Sequence, residues 1–175
     1  MSQKNSTTGR IWQRRMARSA LAIISIFATL TLVASPAAAL PGDGGIIRNW
    51  QTGLCLDSNH NGDVYAMSCN GGNYQNWDEG WISNGERYQI VNKQTGRCLD
   101  ANQAGQVYTS PCARDNPYQR WKPTNWNRSC CNYYRIQFQH YIHGNVCLDS
   151  DRQGKVYTMP CNGGNYQNWR ADGNM

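Results

Sequence analysis

From residue 45 onward the apolar positions come in short bursts separated by polar turns, and no stretch sustains a helical apolar period. The segments "GIIRNWQTGLCLD" (45–57) and "YQIVNKQTGRCLD" (88–100) each place an Ile eight residues before a Cys and follow it with a Gln-Thr-Gly turn. Further on, "DVYAMSC" (63–69) and "KVYTMPC" (155–161) alternate in the manner of short strands. Gly62, Gly105 and Gly154 stand at matched turn positions just before these strands, where a positive backbone angle is cheap for glycine. Short strands at this spacing predict an all-β domain.

The pattern repeats. Aligned on a Cys, "CLDSNHNGDVYAMSCNGGNYQNW" (55–77), "CLDANQAGQVYTSPCARDNPYQRW" (98–121) and "CLDSDRQGKVYTMPCNGGNYQNW" (147–169) are three copies of one unit, the first and third agreeing at 17 of 23 positions. The Cys-Leu-Asp words are 43 and then 49 residues apart, and insertions at "KPTNWNRSCCNYY" (122–134) and "HYIHG" (140–144) hold most of the excess. Units of this size cannot bury a face alone and must close on one another. Leu56, Leu99 and Leu148, with Trp77, Trp121 and Trp169, supply the expected shared core around a pseudo-threefold axis.

The longest apolar run, "SALAIISIFATLTLVA" (19–34), lies before all this. Lys4, Arg10, Arg14, Arg15 and Arg18 precede it, and "SPAAAL", with small residues at Ala37 and Ala39, follows it. A basic start, a short greasy segment and a small-residue cleavage site describe a secretory signal over 1–39, leaving a mature domain at 40–175. The run is short for a membrane span, and no later segment replaces it. A secreted, extracellular protein with no integral membrane segment is expected. The Arg14–Arg15 pair raises twin-arginine export, against which the lack of a following Phe argues.

The leader also changes the charge. The chain carries a net +6, but five of its 17 Lys+Arg lie in the leader, leaving 12 against 11 Asp+Glu. A near-neutral body offers no footprint for nucleic acid or an acidic membrane.

All 8 cysteines fall in the expected mature domain, where an even count argues for disulfides rather than metal. Cys55 and Cys69, Cys98 and Cys112, and Cys147 and Cys161 are each 14 apart, three equal loops. Closing such a loop stabilises by about 3 kcal/mol on the chain-entropy account. Cys130 and Cys131 are left over; a dimer through one of them, a free thiol pair and a strained vicinal bridge all stay open.

Cys-Leu-Asp followed by Gln-x-Trp, three times over, resembles the ricin B-type lectin family, the QxW β-trefoils, across residues 46–169. The wording is closest to the lectin repeats of pierisin and mosquitocidal-type ADP-ribosylating toxins. The resemblance implies a disulfide-stapled β-trefoil with repeats near 46–77, 88–121 and 134–169. It implies carbohydrate as the partner, with galactose-type glycans favoured, and neither catalysis nor a cofactor.

In that family the Asp of Cys-Leu-Asp accepts sugar hydroxyls and the Gln of Gln-x-Trp braces it. Here these are Asp57, Asp100 and Asp149, with Gln75, Gln119 and Gln167. Sugar-binding members usually place an aromatic two residues before the second Cys, where this chain has Met67, Ser110 and Met159. Tyr65, Tyr108 and Tyr157 stand two residues earlier, on the same strand face, and can supply the stacking wall instead. The family's Asn before Gln-x-Trp is replaced by Tyr74, Tyr118 and Tyr166, with Asn73, Asn116 and Asn165 nearby as amide candidates. The alternative for each Asp is a solvated turn aspartate, and for each Tyr ordinary packing; Met67 and Met159 read as filler. The middle copy, with Ser110 and "ARDNPY", is the weakest site.

Other chemistry finds little support. "DSNHNGDV" (57–64) opens like a calcium loop, but Ser68 stands where the twelfth-position Glu belongs. His140 and His143 lack an evident third ligand, so no metal site is expected. No nucleophile–base or phosphate-cradling motif occurs, and the repeats leave no room for a catalytic domain. The expectation is a lectin with up to three weak sites acting together. The alternative is a trefoil without sugar binding that acts through protein contacts, as a secreted inhibitor or the targeting subunit of a toxin. Retention of all three Asp–Gln pairs favours the lectin.

Overall fold

The computed structural model describes residues 45–81, 88–128 and 134–172. The leader expected at 1–39 and the pair Cys130–Cys131 lie outside the described residues. Among the described residues no helix is long and apolar enough to cross a membrane.

Among the described residues, twelve strands follow one another as three groups of four. The first group is β1 (Gly45–Asn49), β2 (Cys55–Ser58), β3 (Val64–Met67) and β4 (Asn76–Trp81). The second is β5 (Tyr88–Asn92), β6 (Arg97–Ala101), β7 (Val107–Pro111) and β8 (Trp121–Arg128). The third is β9 (Tyr134–His140), β10 (Val146–Ser150), β11 (Val156–Pro160) and β12 (Trp169–Asp172). All pairing is antiparallel. The outer strands of the groups form a closed ring, β1–β4–β5–β8–β9–β12 and back to β1. The inner strands of each group form a hairpin: β2–β3, β6–β7 and β10–β11. A barrel capped by three hairpins is the trefoil that the repeats predict.

The core follows the repeated apolar letters. Trp77, Trp121 and Trp169 are fully buried, each removing about 150–250 Å² from water. A buried indole N–H needs an acceptor, and each finds the carbonyl of its own repeat's core leucine. Trp77 Nε1 donates to Leu56 O at 2.9 Å, Trp121 to Leu99 O at 3.0 Å and Trp169 to Leu148 O at 3.0 Å. Ile47 and Ile90 fill matching slots, and Phe138 takes that slot in the third repeat.

The three hairpins are stitched to one another. Thr109 N donates to Gly62 O (2.8 Å), Thr158 N to Gly105 O (2.9 Å) and Ala66 N to Gly154 O (2.7 Å), so each repeat reaches the next in rotation. The glycines have φ of +94°, +80° and +86°. A Cβ on Gly62 would come 2.6 Å from Thr109 O, and one on Gly105 2.8 Å from Thr158 O. Turn geometry was the sequence reason for glycine here; the approach of the neighbouring hairpin adds a second. Cys55–Cys69, Cys98–Cys112 and Cys147–Cys161 are bonded as the spacing predicts.

The two insertions behave differently. Of the first, residues 122–128 and 134 lie in the β8–β9 pair, whose register shifts between Thr124 and Asn127, with Asn125 at φ 56°. At 140–144 the inserted residue hides an equivalence. Asn49 and Asn92 donate from Nδ2 to Tyr166 O and Tyr74 O, both at 2.7 Å, while their Oδ1 atoms cap the following turns. His140 takes that place in the third repeat, its Nε2 2.9 Å from Tyr118 O. It is therefore a core position rather than part of an insertion.

Candidate functional site

Each hairpin holds an Asp directly opposite a Tyr. Asp57 pairs with Tyr65, Asp100 with Tyr108 and Asp149 with Tyr157. The spacing that closes the disulfide loop also sets this opposition. The carboxylates are strand residues rather than solvated turn caps, only 3%, 2% and 2% exposed in chain order. Burial pushes the Asp57 and Asp149 carboxyls above the ordinary range, and nearby donors partly offset it. For Asp57 those donors are the Gln75 amide, the Tyr65 hydroxyl and the backbone at Ser58. For Asp149 they are the Gln167 amide, the backbone at Ser150 and the Tyr157 hydroxyl. Burial, and then the adjacent Asp, raise the phenols of Tyr65, Tyr108 and Tyr157.

The glutamines brace from inside. Gln75, Gln119 and Gln167 are fully buried, and each amide ties down the chain on both sides of the second Cys of its disulfide. Gln75 Oε1 accepts from Asn70 N (2.8 Å) and its Nε2 donates to Ser68 O (3.1 Å). Gln167 repeats this with Asn162 N (2.8 Å) and Pro160 O (3.0 Å). These side chains set the Asp and shape its surroundings from behind.

In the third repeat the assembly opens into a pocket of about 330 Å³. Asp149 and Tyr157 line it, with Met159, Tyr166, Arg152 and Gly164. A carboxylate beside two phenols and a thioether offers hydroxyl acceptors next to an apolar wall. Met159, expected to be filler, is part of that wall. Arg152 Nε donates to the Tyr166 hydroxyl at 2.7 Å and fixes the rim.

The same rim position carries a different side chain in each repeat. His60 meets Tyr74 edge-on at 5.4 Å between ring centroids, and Gln103 Nε2 lies 3.5 Å from the Tyr118 hydroxyl. The three repeats therefore present an imidazole, an amide and a guanidinium at one position.

The middle repeat departs furthest. Asp100 Oδ2 accepts from Ser110 Oγ (2.8 Å), Asn116 Nδ2 (3.0 Å) and Gln119 Nε2 (3.2 Å). Three donors of its own repeat converge on that oxygen, leaving it little capacity for a ligand hydroxyl. Asn116 also caps the 3₁₀ turn Pro117–Gln119 through Tyr118 N (3.0 Å).

The other two amide candidates are placed elsewhere. Asn165 begins the 3₁₀ turn Asn165–Gln167 and accepts from Arg135 Nη2 (3.1 Å), outside the pocket lining. Asn73 is exposed, and its carbonyl accepts from Asn76 and Gln94. The sequence reading missed Tyr166 and its partner Arg152 as pocket residues. The signal available was a Tyr before Gln-x-Trp in all three copies.

The two metal decoys are structural. Asn59 Nδ2 donates to Asp63 Oδ2 (2.9 Å) and Asp63 N to Asn59 Oδ1 (3.0 Å), so this loop's oxygens close its own turn. His140 and His143 stack at 4.6 Å and 17°, face to face rather than converging on a point. Among the described residues, no group of three or more His, Cys, Asp or Glu is placed to hold a metal ion.

Residues 39–121 match the ricin-type beta-trefoil lectin domain. Among solved structures, the designed threefold-symmetric protein ThreeFoil is 22% identical with a TM-score of 0.58, covering 73% of this chain and 96% of its own. SeviL, bound to the asialo-GM1 saccharide, is 16% identical with a TM-score of 0.59, covering 77% and 98%. The cytolethal distending toxin of Haemophilus ducreyi is 17% identical with a TM-score of 0.60, covering 79% and 84%.

Proposed function

We propose, from the premise that the chain belongs to the ricin-type β-trefoil lectin family, that it captures glycans through its first and third repeats while the middle repeat serves as scaffold. The observation that carries this reading is the Asp149 pocket, where a braced carboxylate, two phenols and Met159 converge. Asp57, Tyr65, Gln75 and Tyr74 repeat most of that set in the first repeat. A sugar ring fits such a site chemically: its hydroxyls meet the carboxylate and its C–H face meets the ring wall. The neighbour SeviL binds a saccharide on a similar fold, which supports the class of ligand.

Shallow single sites of this kind bind weakly, with millimolar dissociation equivalent to about −4 kcal/mol. Two on one rigid body engage a branched or clustered glycan with far higher avidity than either alone. Galactose-type glycans are the first choice in this reading, and the leader at 1–39 makes the protein a secreted one. No step of bond making is required of it.

A glycan array on the mature domain tests the reading, followed by calorimetry on its best ligand. Asp57→Asn with Asp149→Asn should remove binding while thermal unfolding stays cooperative. Binding that survives the double substitution overturns the site assignment. Silence across the array overturns the function.

A further inference from the structure

Arg48, Arg170 and Arg135 stand side by side across three adjacent barrel strands. Arg48 pairs with Arg170 in the β1–β12 register, and Arg170 with Arg135 in the β12–β9 register. Directly opposed residues of an antiparallel pair share a face. Their chain neighbours Ile47, Trp169 and Ile136 point into the core, so the three arginines leave the outer wall of the barrel. Strands lie about 4.8 Å apart, which puts three cations on roughly 10 Å of wall.

The fold does not ask for this row. Like charges directly opposite one another cost stability. At the two seams related by the pseudo-threefold, the residues matching Arg170 and Arg48 are Asp78 with Val91 and Lys122 with Gln139. The row thus belongs to one seam only, on a body whose expected mature charge is near neutral.

Its surroundings are shaped. Arg48, Trp50, Gly53 and Arg170 line a hollow of about 270 Å³. Trp50 is 36% exposed, and the Arg135 guanidinium lies 5.5 Å from its ring centroid. Arg48 Nε donates to Gly53 O at 2.7 Å, and a Cβ on Gly53 would come 3.2 Å from Arg48 Nη2. Arg135 Nη2 donates to Asn165 Oδ1. A guanidinium has five N–H donors, so a single bond of this kind orients it and leaves others for a ligand.

We propose that this seam is a second binding site, for an anionic saccharide bearing a sulfate ester or a carboxylate. The guanidinium forks take the anion's oxygens pairwise, which an ammonium cannot do. Trp50 gives the sugar ring its apolar wall. The proposal rests on the reading of the chain as a glycan binder but uses none of the Asp–Tyr residues, so the two can fail separately.

Calorimetry with three oligosaccharides of equal length tests it: a sulfated galactan, a galacturonan and a neutral galactan. At least one anionic arm should bind at least tenfold more tightly than the neutral one, and it should weaken steeply between about 50 and 500 mM salt. Whichever anionic arm binds identifies the group recognised. Arg48→Gln with Arg170→Gln should lower that affinity at least tenfold while thermal unfolding stays cooperative. Arg48→Lys with Arg170→Lys, which keeps the charge and loses the fork, should fall between the two even if the Gln pair unfolds. Asp57→Asn with Asp149→Asn should remove the share of binding that the anionic and neutral arms have in common and leave the salt-sensitive excess of the anionic arm in place. Equal affinity for all three sugars, or full anionic binding by the Lys pair, overturns the proposal. Failure of the neutral arm alone strikes the Asp–Tyr sites and leaves this one standing.

Discussion

Tyr157 stands directly opposite Asp149 across the β10–β11 hairpin, with its hydroxyl within hydrogen-bonding reach of the carboxylate. Burial raises that carboxyl, as it raises Asp57, while sugar hydroxyls bond best to the charged form. Glycan affinity should therefore fall as pH drops, beginning above the pH at which an ordinary carboxylate protonates. Stability runs the other way. A raised folded-state carboxyl favours folding most below its unfolded value near 3.8 and loses that contribution as pH rises through the folded one. Calorimetric titrations at stepped pH, set beside denaturant melts referenced to Asp57→Asn with Asp149→Asn, should show the opposed trends for the carboxyls themselves; affinity flat down to the ordinary carboxylate range would refute the first.

The same carboxylate word has two roles. Asp149→Asn should cut glycan affinity at least tenfold with a modest stability cost. Asp100→Ala should do the reverse, because it strands the three donors that converge on Asp100 Oδ2. Its expected cost is about 1–3 kcal/mol of folding stability with binding unchanged. Urea unfolding and titration of both variants separate the cases.

Glycine substitutions should split into two classes. Gly96→Ala meets no atom within 4 Å and costs only its backbone angle, φ +66°, about 1–3 kcal/mol. Gly105→Ala has a similar angle, φ +80°, and also brings its Cβ to 2.8 Å from Thr158 O, so it should destabilise clearly more. Equal denaturation midpoints for the two variants would show that the hairpin contact contributes nothing.

His140 makes the fold sensitive to mild acid. Burial holds its imidazole below the usual 6.5, with the Tyr118 carbonyl and Asp100 pulling upward and His143 downward. Below pH 6.5 the unfolded chain takes up a proton that the folded one refuses, so stability should fall as pH drops from there. His140→Asn, the residue of the other two repeats, should flatten that slope, since Asn49 and Asn92 make the equivalent bond. Melting temperatures at pH 7.5 and 5.5 provide the comparison.

Most of the scaffold was legible because it is written three times. The Trp and Leu triplets, the equal Cys loops and the turn glycines each recur at fixed offsets, and a periodic fold reads them periodically. The Asp–Tyr opposition was within reach for the same reason: both residues sit inside one short disulfide loop. Features that depend on tertiary crowding were not. Nothing local distinguishes a buried Asp57 from a solvated one, and nothing sends Asn165 toward Arg135 rather than the pocket. One inserted residue disguised His140 as loop. The arginine row draws on β1, β9 and β12, whose neighbourhood exists only once the ring has closed.

That closure has a cost for incomplete chains. Because Ala66 waits for Gly154 and β1 waits for β12, a polypeptide halted after two lobes presents bare strand margins and unanswered amides. Such a fragment would satisfy them by taking a related first or second lobe of another copy in place of the absent third, so truncation should yield intertwined assemblies rather than a smaller working monomer.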